Sequence, residues 1–258
     1  KQAIQLLSME GNEDISALNN TLRLLAKHRS LLIQNTLIQH EGLKVLQGPL
    51  AGMEFIRQSA EGCHIAKLLG CYEQPLLPYI KTAINTNYDS VINIGCAEGY
   101  YVVGMARKML QTKFYAFDID ENSRKSCLEL AKRNNVEDRV EIGTLFTSAD
   151  FKRYHLGRSL IFCDIEGGED QLLDPEASEE ITNFDIIVEV HEFQKPGLIE
   201  TLKSRFAQTH NLTFVFDNGQ RDLGKLPQWF LDLSHLDQLL SVWEWRGGST
   251  PWLIMTVK

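Results

Sequence analysis

The chain has 258 residues, of which 43% are hydrophobic and 23% charged, which suits one sizeable α/β domain that needs no disulfide or metal for its stability. Its net charge is −8 without a long basic run, and this argues against a nucleic-acid partner because phosphate neutralisation dominates such binding. No run of 18 apolar residues predicts a membrane span. Five scattered cysteines without a CxxC pair indicate reduced thiols and a cytoplasmic protein.

The first predicted element is a long helix over 12–41, followed by a glycine- and proline-containing loop over 47–53 and a helix over 75–86. Apolar residues recur at roughly helical spacing in the first helix: Leu18, Leu22, Leu25, Leu32 and Ile33. We interpret them as a buried face or a homodimer contact, with a lid over a substrate as the alternative. Residues 1–80 are predicted to form a helical extension or cap, and 81–258 the core of the same folded unit.

Beyond residue 88, predicted strands alternate with helices. The strands cover 90–94, 113–118, 139–142, 159–164, 184–190, 212–216 and 252–257, and the helices 100–110, 121–134, 176–181 and 196–209. Near-continuous apolar strands between amphipathic helices indicate a parallel sheet covered on both faces, and right-handed crossovers make it doubly wound. The predicted fold is therefore α/β and Rossmann-like, with a mostly parallel seven-stranded sheet and an N-terminal helical extension.

A glycine-containing loop follows the first of these strands, with Gly95 at the strand end and Gly99 at the helix start. Open α/β sheets bind ligands at the carboxyl ends of their strands. A dinucleotide would require G-x-G-x-x-G for its pyrophosphate, whereas here Ala97 and Tyr100 occupy the second and third glycine positions. S-adenosylmethionine has no pyrophosphate and tolerates a wider turn, so the loop favours this methyl donor over a nicotinamide cofactor.

The second strand ends in an acidic pair, Asp118 and Asp120, with Ile119 between them. A carboxylate at this place can accept both ribose hydroxyl hydrogen bonds of an adenosine, whereas the alternative role is to cap the next helix. We assign Asp118 to the ribose and Asp120 to the cap. Ile119 is assigned to the same cofactor site, as is Glu98 of the glycine loop.

Residues 48–192 resemble the class I S-adenosylmethionine-dependent methyltransferases, and most closely the FkbM-type family. The resemblance is carried by three stretches: Asn93-Ile94-Gly95-Cys96-Ala97-Glu98-Gly99-Tyr100-Tyr101, Asp164-Ile165-Glu166-Gly167-Gly168-Glu169 and Ile187-Val188-Glu189-Val190-His191-Glu192. It implies methyl transfer to an oxygen, often a hydroxyl of a sugar or secondary metabolite. The expected partner is therefore a small-molecule or glycan acceptor.

The chain departs from this family at two loop positions. Similar enzymes usually carry Asp or Glu where this chain has Asn93, and often Asn where it has Ala97. Both positions are still assigned to the cofactor, although an amide cannot neutralise a positive charge. The resemblance also implies that Glu73 faces the amino-acid end or the sulfonium of the cofactor, with a surface carboxylate near a helix start as the equal alternative.

Polar residues are dense where the fourth and fifth strands end: Asp164, Glu166, Glu169, Glu189, His191 and Glu192. Methyl transfer requires an aligned nucleophile and removal of its proton, and we assign Asp164, Glu166 and His191 to this catalytic group. Asp164 is also assigned to the cofactor. Glu169 and Glu192 are interpreted as caps of the short helix after Gly168 on a solvated rim.

Two mechanisms are open for this group. In the first, Asp164, Glu189 and His191 bind Mg²⁺ or Mn²⁺, which lowers the pKa of the substrate hydroxyl; a similar placement of metal ligands is found in catechol-type O-methyltransferases. In the second, His191 is a metal-free general base oriented by Glu166 or Glu189. Two further alternatives are a non-catalytic binding module, favoured by Asn93, and a nicotinamide oxidoreductase.

Overall fold

The predicted Rossmann-like sheet is confirmed. The computed structural model describes residues 1, 3–4, 15–60, 62–246, 248 and 250–258, and within these residues one sheet has seven strands in the order β3-β2-β1-β4-β5-β7-β6. The strands are β1 Ser90–Ile94, β2 Lys113–Phe117, β3 Val140–Gly143, β4 Ser159–Cys163, β5 Phe184–Glu189, β6 His210–Val215 and β7 Trp252–Val257. Only β7 runs antiparallel to its neighbours β5 and β6, and the order reverses beside β1, where β2 and β4 flank it.

The helices lie on both sides of this sheet. Their bounds are α1 Ile15–Glu41, α2 His64–Leu69, α3 Leu77–Asn85, α4 Tyr100–Ala106, α5 Glu121–Arg133, α6 Phe151–Tyr154, α7 Glu169–Leu172, α8 Leu198–Phe206, α9 Gln228–Leu231 and α10 His235–Val242. The helix predicted over 176–181 is wrong, because a 3-10 turn lies nearby at Glu179–Asn183 instead. No part of the described chain forms a helix long and apolar enough to cross a membrane.

The central strands β1, β4 and β5 form because most of their residues are apolar on both faces. Every residue of β1, β4 and β5 is buried, as expected for central parallel strands covered by helices. One apolar cluster fills each side of the sheet, with Phe114 and Phe162 in the first and Phe151 and Phe184 in the second. All five cysteines are buried and form no disulfide, so they serve as small packing residues.

The N-terminal segment shares the first of these clusters with the core. Leu50, Phe55 and Leu68 are buried there together with Tyr100 and Val103 of α4. The predicted loop over 47–53 closes with hydrogen bonds from Val45 N to Met53 O (2.9 Å) and from Gly52 N to Val45 O (2.8 Å). This packing places the extension beside the carboxyl edge of the sheet. The division at residue 80 stays a prediction.

The long N-terminal helix is correct as an element, but its buried face matches the predicted one only at Ile33, which is 4% exposed. The four leucines of the predicted face are half exposed: Leu18 50%, Leu22 55%, Leu25 52% and Leu32 45%. Besides Ile33, the helix buries Ala17, Thr21 and Leu37, and it packs against α10 and α2. Apolar residues are spread around this helix, so spacing alone did not reveal which of them the rest of the chain covers.

Candidate active site

The loop between β1 and α4 turns against the end of β4. Gly95 has φ +76°, and a Cβ there would lie 1.6 Å from the Asp164 carbonyl oxygen, so only glycine fits. The Gly95 and Cys96 N–H groups both donate to Phe117 O, at 2.8 and 3.0 Å. Backbone contacts therefore fix this turn at the edge where the strand order reverses, which is the ligand-binding position of open α/β sheets.

Asp118 links this loop to the start of α5. One carboxylate oxygen, Oδ2, accepts a hydrogen bond from Ala97 N, and the other, Oδ1, accepts one from Asp120 N, both at 2.8 Å. Each oxygen of an ionised carboxylate can accept a second bond, so these contacts leave acceptor capacity for a ribose. Asp120 caps α5 by accepting from Ser123 N at 2.7 Å, and its predicted role as the cap is confirmed.

A cavity of about 600 Å³ opens beside Asp118, at the ends of β1 to β4. Its size lies within the usual range for small-molecule sites. Ile119 and Leu145 line it and are 80% and 63% exposed, so apolar surface is accessible to a ligand in this cavity. The complete lining comprises Ile94, Gly95, Phe117–Asp120, Thr144–Ser148, Asp164–Glu166, Gly168, Gln171 and Leu172.

Two other residues assigned to the cofactor, Gly99 and Glu98, have structural partners. Gly99 has φ +92°, and a Cβ there would lie 2.8 Å from Cys127 Sγ, so this glycine lets α4 approach α5. The fully buried Glu98 forms an ion pair with Lys67 and accepts from Ala60 N at 2.8 Å. These contacts hold the N-terminal segment against the loop, and Glu98 borders a small cavity of about 30 Å³.

Asn93 and Glu73 also border that small cavity. The buried Asn93 donates from Nδ2 to Phe162 O at 3.3 Å. The buried Glu73 accepts a hydrogen bond from the Tyr101 hydroxyl and forms an ion pair with Arg246. Burial and the nearby Glu189 charge raise the pKa of Glu73 to about 8, against the opposing effect of Arg246. The alternative of a surface carboxylate at Glu73 is therefore wrong.

The polar strand ends meet at His191, whose imidazole is 3% exposed. Its Nε2 lies 3.6 Å from Asp164 Oδ1, 3.5 Å from Glu166 Oε2 and 3.6 Å from Glu189 Oε2. The structure thus brings together the three predicted catalytic residues and the three predicted metal ligands around one ring nitrogen. Their roles stay predictions.

The other nitrogen of this histidine has a partner that the sequence analysis placed elsewhere. His191 Nδ1 lies 2.7 Å from Glu169 Oε1, and Glu169 is fully buried. The Glu169 carboxylate also accepts from Gly167 N at 3.2 Å. Glu169 is therefore not on a solvated rim, and it rather than Glu166 or Glu189 orients the imidazole. Glu192 does act as a cap, but at the start of α8, where it accepts from Gly197 N and Ile199 N, and not at the short helix after Gly168.

The hydrogen bond between His191 and Glu169 determines the protonation state of both side chains. Burial lowers the pKa of His191, but the Glu169 hydrogen bond and the charges of Glu189, Glu169 and Glu166 outweigh it, and the net pKa is raised. Burial raises the pKa of Glu169, but the bond from His191 and backbone N–H donors reverse the shift, and its net pKa is lowered. Because an ionised carboxylate only accepts hydrogen bonds, Nδ1 carries a proton and Nε2 faces the carboxylates.

Glu189 differs from the other two carboxylates near Nε2. Its Oε1 is bound by Arg246 and by the Thr250 hydroxyl. Among the described residues, the group whose ligand atoms all lie within 4.8 Å of one another is Asp164, Glu166 and His191. Glu166 therefore occupies the place in this group that the sequence analysis gave to Glu189.

A second cavity, of about 880 Å³, lies on the other side of the catalytic group. It shares Asp164 and Glu166 with the first cavity. The complete lining comprises Arg23, Lys27, Gly62, Tyr72, Asp164, Glu166, Glu189, His191, Phe193, Gln194, Glu244–Arg246, Gly248 and Thr250. The two cavities thus approach each other at the ends of β4 and β5.

Sequence reasoning missed three parts of this site. Residues 144–148, which line the first cavity, directly follow β3. They could have been predicted from the rule that ligands bind at the carboxyl ends of strands. Arg23 and Lys27 come from α1 and Arg246 from the segment before β7. No local pattern marks these three side chains, because their position depends on contacts between elements distant in the sequence.

No protein-family model and no curated protein sequence matches the chain. Solved structures with a similar fold include an O-methyltransferase from Bacillus cereus in complex with SAH (13% identity; 72% of this chain and 81% of that chain; TM-score 0.47). Another is an O-methyltransferase from Streptomyces achromogenes, involved in tomaymycin synthesis and solved with SAM (12%; 72% and 80%; TM-score 0.47). A third is an rRNA methylase from Streptococcus thermophilus (14%; 71% and 96%; TM-score 0.45). Each likeness is one of fold alone and carries no statement about what this chain binds.

Proposed function

We propose that this chain is an S-adenosylmethionine-dependent methyltransferase that methylates a hydroxyl group of a small molecule or glycan. The observation that carries the proposal is the pair of cavities that share Asp164 and Glu166 at the carboxyl edge of the sheet. One cavity contains a carboxylate suited to a ribose, and the other contains a buried histidine. Cofactor and acceptor would then meet at the wall between them. Membership of the FkbM-type family stays a prediction.

The first cavity suits the cofactor in size and chemistry. Asp118 would accept the ribose hydroxyls, and the exposed aliphatic side chains of Ile119 and Leu145 would contact the adenine ring. Gly95 and Asp164 line the same cavity toward the second one. When bound, the cofactor supplies an electrophilic methyl group on a positively charged sulfonium. Asn93, Ala97, Glu98 and Gly99 would shape the adjoining loop, and Glu73 would close its far side.

In the second cavity, His191 would hold the acceptor hydroxyl and remove its proton. The Glu169 bond keeps Nδ1 protonated, so Nε2 is the nitrogen that can accept the proton. The resulting imidazolium would be stabilised by Asp164, Glu166 and Glu189, which lie 3.5–3.6 Å from Nε2. This mechanism requires no metal.

Divalent-metal assistance is the second mechanism, and the same geometry supports it. Asp164, Glu166 and His191 can each offer a ligand atom within 4.8 Å of the others. A histidine that ligates a metal usually donates its other N–H to a carboxylate, as His191 does to Glu169. Carboxylate oxygens with one imidazole suit Mn²⁺ or Mg²⁺. The ion would hold the acceptor hydroxyl and lower its pKa.

Ligand-induced thermal stabilisation tests the cofactor. We expect S-adenosylmethionine and S-adenosylhomocysteine to raise the melting temperature, and NAD to leave it unchanged, because a ligand that binds only the folded state stabilises it. A response to NAD without a response to the other two would contradict the proposal and favour an oxidoreductase.

Turnover on a panel of hydroxylated small molecules and glycans, with methyl-labelled cofactor, tests catalysis. His191→Ala is expected to abolish methyl transfer while the affinity for S-adenosylhomocysteine is retained. Tight cofactor binding with no transfer to any acceptor would favour the non-catalytic binding module instead. Retained turnover in His191→Ala would remove the histidine from the mechanism.

Calorimetric titration with Mn²⁺ separates the two mechanisms. If a metal takes part, EDTA abolishes turnover, Mn²⁺ or Mg²⁺ restores it, and Glu166→Gln weakens Mn²⁺ binding more than Glu189→Gln does. The reason is that Arg246 and Thr250 already engage Glu189. If Mn²⁺ does not bind and EDTA has no effect, His191 acts as the metal-free base.

A further inference from the structure

The face of α1 that points away from the protein carries a row of aliphatic side chains, here called the leucine stripe. Its members are Ile15 (70% exposed), Leu18 (50%), Leu22 (55%), Leu25 (52%) and Leu32 (45%). Their spacings are three, four, three and seven residues, with Arg29 at the position that would complete the repeat. Alternating spacings of three and four are the heptad pattern by which two helices pack along a shared seam.

The leucine stripe is separate from the face that α1 buries against the rest of the chain. Ala17, Thr21, Ile33 and Leu37 cover the contact with the rest of the chain, and one apolar face is what a surface helix of a monomer requires. Two exposed leucines of α10, Leu236 (64%) and Leu239 (52%), add apolar surface on the helix that packs beside α1.

The size and rigidity of this surface suit a protein interface. Seven large aliphatic side chains on two packed helices are each about half or more exposed, and large contiguous apolar patches mark interaction sites. Arg29 lies within the stripe, but its guanidinium binds Asp237 of α10 through two hydrogen bonds of 2.7 Å. This bidentate pair neutralises the cation and holds the two helices together.

The distribution of charge indicates what covers the stripe. Arg23 and Lys27 line the second cavity, and at 100° per residue they lie roughly 130–170° around the helix from the centre of the stripe. Asn19, Thr21 and Ala26, which lie beside the stripe within α1, carry no charge. A helix that binds an anionic membrane would place cations beside its leucines. An uncharged apolar seam can instead pack against an identical seam without repulsion.

We propose that the chain forms a two-fold homodimer in which the leucine stripes of two α1 helices pack against each other. A two-fold axis pairs the same patch on both copies, so one self-complementary surface is sufficient. The dimer would also restrain the helix whose Arg23 and Lys27 line the second cavity. This inference does not depend on the proposed enzymatic activity.

Light scattering coupled to size-exclusion chromatography tests the dimer on the full chain. We expect a mass of twice 29.4 kDa, and a single-chain mass for the double variant Leu22→Glu/Leu25→Glu. Buried carboxylates at a seam are strongly unfavourable, so the dissociation constant should rise at least ~100-fold. The matched control is Leu110→Glu, at a leucine that is 67% exposed outside the stripe and should leave the dimer intact.

Circular dichroism and melting temperature show whether the double variant folds. A wild-type chain that is monomeric at about 100 µM, far above the Kd of a stable dimer, would overturn the proposal. An unchanged dimer in the double variant would overturn it as well. A third outcome is that the wild type forms no dimer and floats with phosphatidylglycerol vesicles, whereas the double variant does not. That result would identify a membrane surface as the occupant instead.

Discussion

Removal of the Arg246 guanidinium is expected to destabilise the protein strongly. Arg246 forms ion pairs with Glu73, Glu189 and Glu244, whose side chains are only 4%, 4% and 2% exposed. Arg221 also binds Glu244, at 2.5 Å. Arg246→Met therefore leaves Glu73 without a cationic partner among the described residues, and Glu189 with His191 alone, 3.6 Å away. Breaking a buried pair in this way costs about 3–5 kcal/mol of the free energy of unfolding. For a chain of this size the melting temperature should fall by about 6–20 °C.

The destabilisation should depend on pH in a definite direction. The pKa of Glu73 is already raised from 4.5 to about 8 in the folded chain. Its contribution to stability is therefore complete below pH 4.5 and is lost as the pH rises toward 8. Arg246 opposes this rise, so without the guanidinium the pKa increases further. The stability deficit of Arg246→Met relative to wild type should be larger at about pH 8 than at about pH 5.5.

Urea unfolding at both pH values measures these differences. Arg133→Met is the matched control, because Arg133 and Glu129 form an exposed pair at 2.8 Å and such pairs contribute at most about 1 kcal/mol. Replacing Glu73 by Gln in the Arg246→Met background should recover part of the loss, since it removes one buried charge. A deficit below about 1 kcal/mol, or one that is equal at the two pH values, would refute the reasoning.

Three further predictions concern the site. Asp118→Ala should weaken S-adenosylhomocysteine binding by about 100-fold or more, because each hydrogen bond to a charged group contributes about 1.5–3 kcal/mol; calorimetry that shows unchanged affinity would remove the ribose assignment. Glu169→Gln should lower the pKa of His191 and move the acidic limb of the pH–rate profile to lower pH, since the Glu169 bond and charge raise that pKa; a loss of rate with an unmoved limb would indicate a structural role alone. Gly95→Ala should prevent proper folding, because its Cβ would lie 1.6 Å from the Asp164 carbonyl oxygen; a melting temperature within about 2 °C of wild type would contradict this contact.

The sequence alone determined the sheet and the loop at its edge. Each central strand is a near-continuous apolar run, which specifies burial on both faces locally. The strands β1 and β7 have the predicted bounds of 90–94 and 252–257. The cap role of Asp120 could also be predicted, because capping depends on residues only three positions away. Helix α2 was missed because all six of its residues are buried, so it has no amphipathic period.

Only the tertiary structure decided which side chains meet. Glu169 and His191 are 22 residues apart, and Arg246 and Glu73 are 173 residues apart, so no local spacing could pair them. The same limit applies to α1, where the leucine period was visible but its exposure was not. Sequence periodicity reports which residues share a face of an element. Whether other elements cover that face, and which charged side chains lie beside it, depends on parts of the chain that are distant in the sequence.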